Sequence, residues 1–122
     1  MSPTPGELLM EARTLLDEDD PATRGRWGRI ATHLTRQALE ANLRAYWGER
    51  YAGLAAANFR TQFICLGTLH PDRALVRRVA WAWEALSDAG HARGALPGRA
   101  DLEDWIATVE EFGAARPAAK PT

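Results

Sequence analysis

The chain has 122 residues, 46% hydrophobic and 25% charged, and 15 Lys+Arg against 16 Asp+Glu leave a formal charge of −1. That length suits one domain with its own core rather than two, and the near-neutral balance excludes attachment to nucleic acid by bulk charge, though a local basic face is still allowed. The single cysteine, Cys65, excludes a disulfide framework and a cysteine-based zinc site. With no run of roughly 18 apolar residues and no signal-like leader, the chain is expected to be cytoplasmic and to make no use of a membrane.

Ala, Leu and Arg dominate, Val and Ile are scarce, and no stretch alternates apolar with polar. The expected class is therefore all-α, an antiparallel bundle of four to five helices. Residues 1–6 and 116–122 are expected to be flexible tails around a single domain spanning 7–115. A first helix is predicted over about 5–16, with Leu8, Ala12, Leu15 and Leu16 inward. Asp20-Pro21 forms a cap for a long second helix, about 21–50. There Trp27, Ile30, Ala31, Leu34, Ala38, Ala41 and Ala45 recur at three- and four-residue steps as the inward stripe.

Residues 48–58 are a connection with room for one extra turn. A third helix begins at Phe59, takes Phe59, Phe63, Leu66 and Leu69 as its core series, and stops before His70-Pro71. Pro71 and Asp72 open a fourth helix whose inner face is Leu75, Val79, Ala82, Trp83 and Leu86. The Gly- and Pro-rich stretch 89–99 is a loop. The last helix, about 100–113, carries Leu102, Trp105, Ile106, Val109 and Phe112 at helical spacing.

Few residues form a chemical constellation. His33, His70 and His91 fall on separate segments without the repeated Glu-x-x-His of a bundle metal site, so no metal and no cofactor is expected. Ser87 and His91 are one helical turn apart, but nothing supplies an oriented acid or an oxyanion donor pair. Cys65, among Phe63, Ile64 and Leu66, reads as a core thiol. Basic residues cluster twice: Arg26, Arg29, His33, Arg36 and Arg44 opposite the alanine stripe, and Arg73, Arg77 and Arg78 at the start of the fourth helix. Either cluster is a solvated face or a grip for RNA phosphate.

Five tryptophans are the sharper physical clue. Trp27, Trp83 and Trp105 lie on inward stripes. Trp81 stands about 160° from Val79 at roughly 100° per residue, and Trp47 sits off the second helix's stripe beside Leu43 and Tyr46. Trp81, Trp47, Leu43 and Tyr46 are therefore expected to form a second apolar surface, available to a partner or covered by another part of the chain.

Three segments, HLTRQALEANLRAYW (33–47), FRTQFICLGTL (59–69) and RRVAWAWEALSDAGHARGALPGRADLEDWIATVE (77–110), carry a resemblance. Over about three-quarters of its length the chain resembles the HEPN-like helical domains of high-GC bacteria. The resemblance implies a four- or five-helix bundle that dimerises through two helices. In many members it implies a ribonuclease or a toxin neutralised by a nucleotidyltransferase-like antitoxin. The family's catalytic signature is an Arg and a His separated by four to six residues at the end of a long helix, the arginine on phosphate and the histidine moving a proton. Here the residues that far before His91, Leu86 and Ala85 among them, include no Arg, and Arg93 follows instead. Arg26 and His33 have a permitted spacing but lie in the second helix.

The expectation that results is a non-catalytic HEPN-like module acting as a homodimer or by binding a partner, in a toxin–antitoxin or defence setting. The alternative is a metal-independent ribonuclease using His91 and Arg93, with Arg73, Arg77 or Arg78 on RNA phosphate. A standalone nucleic-acid binder is a third possibility, marked by steep salt dependence.

Overall fold

The structure, a computed structural model, describes residues 3–18, 24–89 and 97–114, with the backbone alone for 24–27. These residues form six α-helices and no strand: α1 (Pro5–Asp17), α2 (Arg24–Gly48), α3 (Ala52–Ala55), α4 (Phe59–Leu69), α5 (Arg73–Ala89) and α6 (Arg99–Ala114). The all-α class stands, with one helix more than the expected range, because the connection after α2 closes a single turn at α3.

α1 starts where Pro5 and its neighbours dictate. Thr4 accepts from the Glu7 backbone N–H, and the Glu7 carboxylate accepts from the Thr4 N–H at 2.8 Å, a complete capping box. Those bonds hold the Glu7 carboxyl below its ordinary pKa. α1 thus begins at Pro5 with its cap at Thr4. The Asp20-Pro21 cap and the tail 116–122 lie outside the described residues.

α2 is the hub, with α1, α3, α5 and α6 all packed against it. The single alanine stripe therefore understates it. Ala38 and Trp47 stand about 180° apart round the helix at 100° per residue, yet both are fully buried. Ala31 and Ala38 keep their inward places; Leu34, Ala41 and Ala45 are half-buried, and Ile30 is exposed. The deepest part of the core is instead built on Leu39, Leu43, Tyr46 and Trp47, continuous with Leu9 and Leu16 of α1, Leu66 of α4, Leu75, Val79 and Leu86 of α5, and Leu102, Ile106, Val109 and Phe112 of α6. In α4 the inward phase turns onto Gln62 and Leu66, leaving Phe59 and Phe63 half-buried and Leu69 exposed.

No described helix is long and apolar enough to cross a membrane.

Candidate interaction surface

The outward face of α4 and α5 is set by three local devices. Asn58 Oδ1 accepts from the Thr61 N–H at 2.8 Å and starts α4. Asp72 Oδ1 accepts from the Leu75 N–H at 3.0 Å and starts α5. Between them His70 locks the elbow, its Nδ1 accepting the Asp72 N–H at 3.0 Å. With Nδ1 an acceptor, the neutral ring carries its proton on Nε2, which is buried without a hydrogen-bond partner among the described residues. The imidazole is 4% exposed and stacks on Tyr46 at 5.5 Å, with Phe112 at 6.1 Å. Burial holds its pKa below the ordinary histidine value; the Asp72 carboxylate pulls it up and the Arg50 guanidinium pushes it down.

A second bracket ties α5 to α2. Glu40 accepts from Arg36 Nε at 3.2 Å and from Trp83 Nε1 at 3.3 Å, which fixes the Trp83 indole with Phe63 at 5.2 Å and Phe59 at 6.4 Å. The Arg44 guanidinium lies 4.8 Å from the Phe59 ring centre. Beside this bracket α4 and α5 leave a groove of about 260 Å³, lined by Arg60, Phe63, Ile64, Ala80, Trp83 and Glu84. Ile64 is 67% exposed on one wall, and Trp81, one residue on from Ala80, is 69% exposed. Neither Arg60 nor Glu84 has an ion pair among the described residues.

The expected second apolar surface therefore splits. Trp81 is where its angle put it, on the outside. Trp47, Leu43 and Tyr46 are corrected to core residues: Trp47 and Leu43 are 0% exposed, and Tyr46 packs against Trp47, His70 and Phe112. They cannot meet a partner while the domain is folded. The reason is the hub position of α2, whose second apolar face is covered by the chain itself.

The basic cluster splits as well. Arg78 reaches α6, pairing with Glu111 at 2.7 Å and donating to Thr108 Oγ1 at 3.3 Å, so it is a tie between helices. Arg73 and Arg77 are exposed and have no ion pair among the described residues. On α2, Arg29 and His33 are exposed, while Arg36 and Arg44 belong to the bracket. His91, Arg93, and the side chains of Arg26 and Trp27 lie outside the described residues. Cys65 is half-buried against the core, and Ser87 Oγ is buried with no hydrogen-bond partner among the described residues.

Two features of this face were not foreseen. Ile64 stands about 160° from Leu66 at roughly 100° per residue, so the argument that exposed Trp81 would also have exposed Ile64. Glu40 carries no signal in the sequence, because its acceptance from Trp83 depends on where α5 lands. Among the described residues no group of three or more His, Cys, Asp and Glu side chains is placed to hold a metal ion. Comparison with protein-family models, with curated proteins and with solved structures finds no match to this chain.

Proposed function

We propose that this chain is a non-catalytic, HEPN-like helical module that works by association, and that its partner on the α4–α5 face is a second copy of itself. The observation that carries the reading is Trp81, a large indole 69% exposed beside a groove walled by Ile64, Phe63 and Trp83. Exposed aromatics next to an apolar groove are the usual anchors of an interface. Charge selects the occupant. The groove carries Arg60 on one helix and Glu84 on the other, both without an ion pair among the described residues, so a two-fold related copy sets each arginine against the other copy's glutamate.

The test is solution mass by light scattering from about 1 to 100 µM. The full chain is expected to approach twice its single-copy mass, Trp81→Glu and Glu84→Arg to revert to one copy, and the exchange Arg60→Glu with Glu84→Arg to restore the pair. A single-copy mass throughout that range overturns the proposal. So does RNA cleavage that His91→Ala abolishes, which would replace association with the ribonuclease reading.

A further inference from the structure

On the opposite side of α2 lies a second concavity, independent of the α4–α5 face. It is a cleft of about 400 Å³ where the start of α1 and the end of α6 meet the C-terminal third of α2. Its walls are aliphatic or small, with Pro5 and Leu9 from α1 and Ala41 and Ala45 from α2. The floor is Asn42, 8% exposed, whose carboxamide has no hydrogen-bond partner among the described residues. The amide is pressed against Gly113: a Cβ there would come within 2.9 Å of Asn42 Nδ2. Gly113 thus leaves the space in which the amide lies.

The amide makes no hydrogen bond to the described residues and is open to the cleft, so its donor and acceptor are left for a molecule that enters from solvent. We infer that the cleft is a binding site for a small neutral molecule with an aliphatic body and an amide-type edge, held through Asn42. The chemistry of the donors defines this class. An asparagine amide offers one acceptor and one donor side by side, matched by a group that presents a donor beside an acceptor. The Gly6 N–H, in the first turn of α1 and on the cleft wall, is the one the Thr4–Glu7 capping box leaves over, and it adds a donor for the ligand carbonyl. The rim carboxylate of Glu110 is already engaged by Arg13, so the cleft offers no unpaired cation to a charged acid. The volume falls in the range usual for small-molecule sites.

The experiment is a titration of the ¹⁵N-labelled full chain with cyclohexanecarboxamide, followed by the side-chain amide of Asn42 and the backbone amides of Gly6 and Gly113. Saturable shifts at all three are expected. Cyclohexanecarboxylate, the same body with a charged edge, should bind at least tenfold more weakly. Asn42→Ala should abolish saturation, and Gly113→Ala, which drives the amide from its place, should weaken it. Asn42→Asp, of the same shape but without the N–H donors, covers the case in which the alanine variant fails to fold. Absence of saturable shifts, equal binding of amide and carboxylate, or binding that survives both Asn42 substitutions overturns the inference.

Discussion

Leu43 and Trp81 test the central division between surfaces, because the one-dimensional reading put both on the same partner face and the fold separates them. Leu43→Ala removes three carbons from a side chain that is 0% exposed within the main cluster. At about 0.8 kcal/mol per buried carbon the transfer loss is about 2.4 kcal/mol. A residual cavity at roughly 24 cal/mol per Å³ brings the total to about 3–4 kcal/mol. Trp81→Ala removes a larger side chain, but one that is 69% exposed, and a surface change of this kind stays within about 0.5 kcal/mol. Urea unfolding followed by circular dichroism, at a protein concentration low enough to keep copies apart, reads both. With a slope of about 1–3 kcal/mol per molar urea, Leu43→Ala should lower the midpoint by about 2 M and Trp81→Ala leave it nearly unchanged. The reasoning fails if the two midpoints move by similar amounts, since Leu43 and Trp81 would then share an environment.

Three other outcomes follow from particular contacts. His70 is held neutral by burial, so its folded pKa lies below the unfolded value of about 6.5. The stability this contributes is complete above about pH 6.5 and is lost as pH falls towards the folded pKa, by at most about 1.4 kcal/mol per pH unit for the one proton. Urea midpoints at pH 7.5 and 5.5 should differ in the native chain and converge in His70→Asn, whose side chain can still accept the Asp72 N–H; an unchanged difference contradicts the assignment. Asn58→Ala, which removes the acceptor for the Thr61 N–H, should cost about 1 kcal/mol, read as a drop in thermal midpoint. Arg78→Ala should cost no more than about 1 kcal/mol, because its pair with Glu111 is half-exposed; Arg73→Ala and Arg77→Ala should leave the midpoint in place.

Much of the architecture is legible before folding. Helix-forming composition sets the class, and the last two helices place most of their inner residues correctly because each has one buried face. Leu75, Val79, Ala82 and Leu86, then Leu102, Ile106, Val109 and Phe112, are buried as their spacing requires, with Trp83 and Trp105 half-buried at the margins. Asn58 and Asp72 mark helix starts through side-chain bonds that reach only three residues along the chain. Trp81 is outside for the same local reason, an angle measured on its own helix.

What the sequence did not contain is the number of neighbours each helix acquires. A helical wheel assigns one inward face, which suffices for a helix at the edge of a bundle and fails for α2, surrounded by α1, α3, α5 and α6. Trp47, Leu43 and Tyr46 therefore looked like a surplus surface until α6 brought Phe112 against Tyr46 and the elbow after α4 brought His70. The Asn42 cleft has the same origin, since its walls come from α1, α2 and α6. Local propensity and periodicity act along one helix, whereas burial is a property of three-dimensional neighbours. Only the packed chain could decide which apolar face is core and which is left to meet another molecule.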